Sequence, residues 1–345
     1  MSREWPGGVI RKTPVTPTGP YQDGTAPGVW TLDQMNYWLK QNLWPIAGNL
    51  DRGLFGGGNS NSVSRTNVIQ YITIGTLGNS IDFGDLTAGR SGLTACASTT
   101  RGIFAGGFTG AARSNIIDYV TIASLGNAID FGDLTAVRED LASCSSTTRG
   151  IFAGGGLGDG ATRYNVIDYI TIASVGNAID FGDLLANNDT LSACSSSTRG
   201  VIGGGFISTG PTNVLQYITI ASVGNSIDFG DLTVARENLT ACSSSITGVF
   251  AGGDTNPTKV NVIDYITIAT LGNATDFGDL PTAVNVFAAC SSNSRGIFGG
   301  GSGTVRLNVI NYITISSAGN AADFGDLLSE LSDLAACSSS NGGVQ

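Results

Sequence analysis

The chain has 345 residues, of which 41% are hydrophobic and only 13% charged, so it can bury a large core and is too apolar to be disordered. Its formal net charge of −10, without any Lys- or Arg-rich run, argues against nucleic acid as a partner. The sequence contains no histidine, which removes the commonest metal ligand and the usual general base at neutral pH. We therefore expect a protein that is not an enzyme and that uses no cofactor.

The first fifty residues differ in composition from the rest of the chain. They contain all four tryptophans and most of the prolines, and residues 6–27 are predicted to form an extended arm. The chain has no apolar run near the ~20 residues that span a bilayer, and its N-terminus lacks the apolar segment of a secretory signal. We expect synthesis in the cytoplasm and no membrane insertion.

Residues 31–41, TLDQMNYWLKQ, are predicted to form a short helix. Thr31 and Gln34 have the spacing of a capping box, and Met35, Trp38 and Leu39 fall on one helical face. The segment concentrates aromatic surface of the kind that anchors interfaces. It either caps one face of the following domain or docks the chain to a larger assembly. The candidate docking residues are Trp30, Met35, Tyr37, Trp38 and Trp44.

From residue 52 onward the sequence repeats. The segment DFGDL occurs at 82–86 and at five later places, with steps of 48, 50, 48, 48 and 47 residues. The six cysteines follow the same steps: Cys96, Cys144, Cys194, Cys242, Cys290 and Cys337. A period of this length, repeated six times, predicts an array or ring of equal modules.

Each unit contains four short segments with the composition of β-strands. In the second unit these are RGIFA, which a glycine pair ends, NIIDYVTI, AIDFGDL and LASCSS. A Leu-Gly-Asn hairpin turn separates the second segment from the third. Four strands in about 48 residues match a propeller blade. The sequence therefore predicts an all-β, six-bladed β-propeller over residues 51–345, preceded by a docking arm of residues 1–50.

The two ends of the repeat complement each other. The first unit begins at Arg52 without a cysteine-containing strand before it, whereas the last unit continues past its DFGDL to LAACSSS at 334–340. Pairing of residues 334–340 with residues 53–57 would close the ring and cover both free edges. We expect the C-terminal strand to close the propeller in this way.

The glycine pairs, such as Gly106 and Gly107, have the look of a phosphate-binding loop, but no GK[ST] follows any of them. Together with the tyrosine of the next strand, such as Tyr119, and the arginine before the following blade, such as Arg138, they resemble the kelch repeat of β-propellers. The tryptophan of the kelch outer strand is missing, and Phe131 stands in its place. The resemblance implies a kelch-like propeller whose glycines let the chain leave a crowded strand.

Two other repeated features also have structural interpretations. We expect the phenylalanine of each DFGD to pack between blades, and its aspartates to bond turn amides or face solvent. Calcium binding by these aspartates is an alternative, although no loop has a D-x-[DN]-x-[DN]-G pattern. Each cysteine lies in a predicted inner strand, and packed sheets ~10 Å apart are too distant for disulfides. We expect six free, buried thiols.

The connections between strands fall on two opposite faces. The SSTTRG and SLGNA connections are nearly identical in all units and share one face. The connections after the glycine pairs and between blades differ among the units and share the other face, which is where a rigid scaffold presents binding loops. Sequence drift and selection for binding both explain this variation. The candidate ligand-binding residues there are Asn61, Phe108, Arg113, Tyr164, Phe206, Asn256 and Arg306.

The segments GVWTLDQ at 28–34 and NLWP at 42–45, followed by the RGIFAGG and DFGDL repeats, resemble virion proteins of tailed bacteriophages, particularly marine ones. Such proteins are tail fibres or other external structural components. The resemblance implies a non-catalytic virion protein whose N-terminus docks to other virion proteins in a multi-subunit assembly. It also implies that the variable face contacts a host surface glycan or another virion protein.

Two other functions remain as alternatives. A free lectin-like propeller needs aromatic platforms at equal loop positions, and these loops contain few aromatic residues. An enzyme is the other alternative, because some kelch-like propellers resemble copper oxidases. A chain without histidine offers no good copper site.

Overall fold

The computed structural model describes residues 4–5, 8–9, 51–61 and 64–340. The chain divides into two units, Met1–Leu50 and Asp51–Gln345. In the first unit, Glu4–Trp5 pairs with Gly8–Val9 as a two-stranded antiparallel sheet. The predicted helix over 31–41 lies outside the described residues. The predicted docking residues also lie outside them: Trp30, Met35, Tyr37, Trp38 and Trp44.

The second unit consists of six antiparallel sheets, the blades, whose strands are lettered a to d from the innermost outward. In blades 1 to 6, strand a is Ala335–Ser338, Thr94–Ala97, Ala142–Ser145, Ser192–Ser195, Thr240–Ser243 and Ala288–Ser291. Strand b is Arg52–Gly56, Arg101–Ala105, Arg149–Ala153, Arg199–Gly203, Thr247–Ala251 and Arg295–Gly299. Strand c is Val68–Thr73, Ile116–Thr121, Val166–Thr171, Val214–Thr219, Val262–Thr267 and Leu307–Thr314. Strand d is Ile81–Asp85, Ile129–Asp133, Ile179–Asp183, Ile227–Asp231, Thr275–Asp279 and Ala322–Ser332.

The predicted six-bladed, all-β propeller is confirmed, and the described residues contain no helix. Ring closure is also confirmed, because Ala335 pairs with Gly56 and Ser338 with Gly53. Two short additions vary the pattern. Asn59–Ser60 adds a fifth strand to blade 6, and Phe206–Ile207 forms a small hairpin with Gly210–Pro211. Within the part of the chain that the structure describes, no helix is long and apolar enough to cross a membrane.

The hydrophobic core lies between the blades rather than within any one of them. Phe83 of blade 1 belongs to the same buried cluster as Val120 and Ile122 of blade 2, and Tyr71 meets it edge-on with ring centroids 6.1 Å apart. An equivalent Tyr–Phe pair occurs in every blade. The phenylalanine of DFGD therefore packs between blades, as predicted.

The DFGD segment of each blade and the Gly-Asn turn of the next blade, LGN in three of the six repeats and here called the LGN segment throughout, together link the two blades. The N–H of Gly126 donates to the carbonyl of Phe83 at 2.9 Å, and the N–H of Asp85 donates to Asn127 Oδ1 at 3.1 Å. The same two bonds recur at all six blade junctions, including the closing one at Gly78 and Asn79. The first aspartate of each motif is exposed, as expected, but the backbone of the second one makes the turn contact. These bonds occupy the edge of strand d that would otherwise be free to pair.

The six cysteines are free and buried, as predicted. Burial raises the pKa of Cys144 to about 12, so this thiol stays protonated at neutral pH. A serine follows the cysteine in five blades, and its hydroxyl donates to the preceding blade, as from Ser195 to the carbonyl of Ser145 at 2.8 Å. These serines run around the ring: Ser145, Ser195, Ser243, Ser291 and Ser338.

Candidate functional site

The connections lie at two opposite ends of the propeller, as the alternating strand directions predict. The loop end carries the b–c loops and the links between blades, which differ among the repeats. The described parts of the b–c loops lie at 57–61 with 64–67, 106–115, 154–165, 204–213, 252–261 and 300–306. The turn end carries the a–b and c–d turns, which hardly differ. The loop end is the candidate functional site.

A ring of backbone hydrogen bonds surrounds the central channel at the loop end. One residue from each link between blades takes part, and we call this ring the link ring. The N–H of Asp140 donates to the carbonyl of Gly92 at 2.8 Å, and the N–H of Gly92 donates to that of Asp333 at 2.9 Å. The remaining links continue the circle through Thr190, Asn238 and Val286 until it closes. All six residues have left-handed φ values, which glycine adopts freely, Asp and Asn adopt more readily than other residues, and Thr190 and Val286 adopt only at a cost. The closed ring holds them in that conformation.

A cavity of about 120 Å³ lies inside this ring. Its lining residues include Asp140 and Asp333 and no lysine or arginine. Burial, followed by the charges of Glu139 and Asp333, raises the pKa of Asp140 well above its usual value. Deeper in the channel, small residues of strand a leave a space of only about 40 Å³. The channel mouth is therefore acidic, and the channel narrows behind it.

A second group of carboxyls lies at the junction of blades 4 and 5. Glu237 and Asp254 face each other across a β-bridge. The side-chain amide of Asn285 donates to Asp254 Oδ2 at 2.7 Å. Burial, together with the charges of Asp254 and Asp189, raises the pKa of Glu237 to about 7. Among the described residues, no three His, Cys, Asp or Glu side chains are placed to hold a metal ion, at this junction or beside the DFGD motifs.

Cationic side chains form the rim of the loop end, and most of them bond to a neighbouring link. Arg113 pairs with Glu139 at 3.0 Å, and Arg163 pairs with Asp189 at 2.9 Å. Arg306 donates to Ser332 Oγ at 3.0 Å. In each case the acceptor lies 26 residues further along the chain. These contacts hold the b–c loops against the links.

The structure places all seven predicted ligand residues at the loop end, and most of them contact each other or the rim. Arg113 stacks on the ring of Phe108 at 4.5 Å, and Arg163 stacks on that of Phe206 at 4.6 Å. Asn61 accepts a hydrogen bond from Arg306 at 2.9 Å. The other two are separate, since Tyr164 is half-buried and Asn256 lies on an exposed tip before a cis Pro257.

Sequence reasoning missed three groups at this end: the link ring, the Glu237–Asp254 pair and Arg65. Arg65 stacks on Phe108 at 4.4 Å, so two guanidinium groups share one aromatic ring. The constant offset of 26 residues between each rim arginine and its link partner was the available signal. The same offset places Ser91, rather than an acid, opposite Arg65.

The chain enters and leaves the propeller at the turn end. The N–H of Arg52 donates to Ser339 Oγ at 3.2 Å, and the N–H of Ser339 donates to the carbonyl of Arg52 at 3.1 Å. These two residues occupy the place of the a–b turn of the other blades. The loops that vary and the points of chain connection therefore lie at opposite ends of the propeller.

No protein-family model matches this chain, and a search of curated protein sequences also finds no match. The function must therefore be inferred from the sequence and from the geometry of the two ends.

Proposed function

We propose that this chain is a non-catalytic structural protein of a bacteriophage virion, a tail fibre or another external component. Residues 1–50 dock it to other virion proteins, and the propeller presents its loop end outward for recognition of the host surface or of a further virion protein. The resemblance of its N-terminal segments to phage virion proteins supplies the biological setting of this proposal.

The observation that carries the proposal is the opposite placement of the chain connection and the variable loops. Asp51, where the N-terminal fifty residues join, lies at the turn end beside Ser339. The point at which residues 1–50 join the propeller therefore lies at the end opposite the varied loops. Recognition residues are commonly found on loops that a rigid scaffold holds in this manner.

The contacts that the repeated polar motifs make support a structural rather than a catalytic role. The DFGD and LGN segments bond blade to blade, and the buried arginines Arg90, Arg138 and Arg236 pair with aspartates of the following blade. These groups stabilise the ring, which leaves the loop end as the surface that differs from blade to blade.

The lectin-like alternative has less support from the geometry. A propeller lectin with one glycan per blade needs similar chemistry at equivalent loop positions. The residues that directly follow the glycine pairs are of five different types, with only phenylalanine occurring twice: Asn59, Phe108, Gly156, Phe206, Asp254 and Ser302. Arginines already cover the two phenylalanines among them. Recognition at the loop end would therefore involve single, distinct sites.

Deletion of residues 1–50 tests the proposal. We expect residues 51–345 to remain folded and soluble, with the circular dichroism of a β-protein, and to be lost from purified virions as measured by quantitative mass spectrometry. The control is the full-length chain with Asp159→Ser at an exposed loop tip, which should be incorporated normally. Incorporation of the deleted chain at the full-length level would refute docking through residues 1–50. Absence of the full-length chain from virions would refute the virion assignment itself.

A further inference from the structure

Arg65 differs from the other rim arginines because no described residue accepts a hydrogen bond from its guanidinium group. Arg113, Arg163 and Arg306 each donate from Nε to the link residue 26 positions later. The Nε of Arg65 is buried and bonds to no described residue, and no described carboxylate forms an ion pair with this side chain.

Arg163 is the closest counterpart of Arg65 among the rim arginines. Both arginines stack on a phenylalanine of the next blade, Arg65 on Phe108 and Arg163 on Phe206, at 4.4 and 4.6 Å. Asp189 accepts from Arg163 Nε at 2.9 Å, whereas the position equivalent to Asp189 is Ser91 in the link beside Arg65. Blade 1 therefore has the cation and its aromatic support without the carboxylate that Arg163 has.

The surroundings of Arg65 favour an anion. Arg65 and Arg113 stack on the same ring, and only Arg113 has a neutralising partner, Glu139 at 3.0 Å. Gly110, which is exposed, packs against the guanidinium, and a Cβ at this position would lie 3.1 Å from Arg65 Nη1. Stacking also holds the guanidinium plane in place, which reduces the entropy lost when it binds a planar oxyanion.

We propose that Arg65 is a binding site for the carboxylate of an acidic sugar. The carboxylate accepts hydrogen bonds from the two Nη atoms of the guanidinium, since Nε is buried, and the sugar ring lies over the small residues of the loop at Thr109–Ala112. A planar carboxylate fits the guanidinium better than a tetrahedral anion does when the donors lie in one plane. This site deepens the proposed function, because it names the class of ligand that the loop end recognises.

The site is tested with the purified full-length chain, D-galacturonate as the probe and D-galactose as the matched neutral probe. The measurement is the shift of the Gly110 amide signal in nitrogen-15 NMR titrations at constant ionic strength, since salt screens exposed charges. We expect saturable shifts with galacturonate and none with galactose. Arg65→Gln should weaken binding about tenfold or more, because charge-assisted hydrogen bonds are lost. Arg163→Gln is the control and should leave the titration unchanged.

Two substitutions extend the test, and each places at one link position the residue found at the equivalent position of another repeat. Ser91→Asp should supply the missing carboxylate internally and abolish binding although Arg65 remains. Asp189→Ser should free Arg163 and create a second site, detected as new galacturonate-dependent shifts near Phe206. Equal shifts with galactose, retention of binding in Arg65→Gln, or no shift with galacturonate would overturn the proposal. Equal affinity for inorganic sulfate would overturn the assignment to a carboxylate. Each result is independent of whether the chain enters virions.

Discussion

Three arginines are completely buried at the junctions between blades: Arg90, Arg138 and Arg236. Arg138 Nη2 donates to Asp168 Oδ2 of the next blade at 2.8 Å, and its Nη1 donates to the carbonyl of Gly154 at 2.7 Å. Burial lowers the pKa of Arg138, and the charge of Asp168 opposes that shift. The mutual attraction of the two charges and these hydrogen bonds offset their desolvation, although Arg138 Nε is buried and bonds to no described residue.

The other three junctions lack both charges together. At the junction of blades 3 and 4, Asn188 replaces the arginine and Gln216 replaces the aspartate. The hydroxyl of Ser226 donates to Gln216 Oε1 at 2.7 Å. The remaining two pairs of equivalent positions hold Val284 with Asn311 and Leu331 with Gln70. A buried charge without its partner would be costly, which explains why none of the six junctions has only one of the two.

This coupling predicts how Arg138 responds to substitution. Arg138→Met leaves Asp168 buried and unpaired, so the free energy of unfolding should fall by about 3–5 kcal/mol. The triple variant Arg138→Asn, Asp168→Gln and Ala178→Ser reproduces the side chains found at the junction of blades 3 and 4. It should recover more than half of that loss of unfolding free energy. Urea unfolding followed by fluorescence measures both. The exposed neighbour Val137→Ser is the control, with an expected change within about 0.5 kcal/mol. A triple variant as unstable as Arg138→Met would contradict the explanation.

At the scale of whole strands, the packing of strand a of one blade on strand b of the next explains why RGIF contains a glycine. An ideal Cβ on Gly150 would lie 2.9 Å from Cys96 Sγ of the preceding blade. The same approach of a cysteine to a strand-b glycine occurs at all six junctions, from Gly53 with Cys290 to Gly296 with Cys242. Cysteine and glycine are thus complementary halves of one contact between neighbouring blades.

Gly150→Ala should therefore destabilise the protein by about 1–3 kcal/mol, the usual cost of overpacking. Cys96→Ala added to it removes the sulfur and should restore part of the loss, which a double-mutant cycle of unfolding free energies measures. The matched control is Gly75→Ala, because a Cβ there meets no atom within 4 Å. Simple addition of the Gly150 and Cys96 effects would show that these residues are not coupled.

These contacts show where sequence reasoning succeeded and where it stopped. The period, the strand composition and the unmatched ends were enough to predict six blades and the closing pair of strands, since those depend on local pattern and length. The Cys96–Gly150 contact depends on the register of one blade against the next, which composition does not determine. Arg65 was missed for a similar reason, because its difference from Arg163 lies in the link residue Ser91.

At the scale of the whole molecule, three closed circuits hold the blades: the link ring, the DFGD–LGN bonds and the packing of cysteine on glycine. Each circuit includes the junction between blades 6 and 1, where Asp333 bonds Val286 and Gly78 bonds Phe324. The chain termini of the propeller meet within blade 1, so the pairing of Ala335–Ser338 with Arg52–Gly56 is the step that makes these circuits continuous.

Removal of residues 334–345 should therefore affect the whole ring rather than blade 1 alone. The edge of strand b would be exposed along with the buried Leu54 and Phe55, and an exposed apolar edge favours association between chains. We expect a lower melting temperature and concentration-dependent oligomers in light scattering coupled to size-exclusion chromatography. Truncation after Ser340 keeps strand a and is the control. A chain ending at Asp333 that stays monomeric, with an unchanged melting temperature, would mean that the blades hold together without closure, as the modules of an open array do.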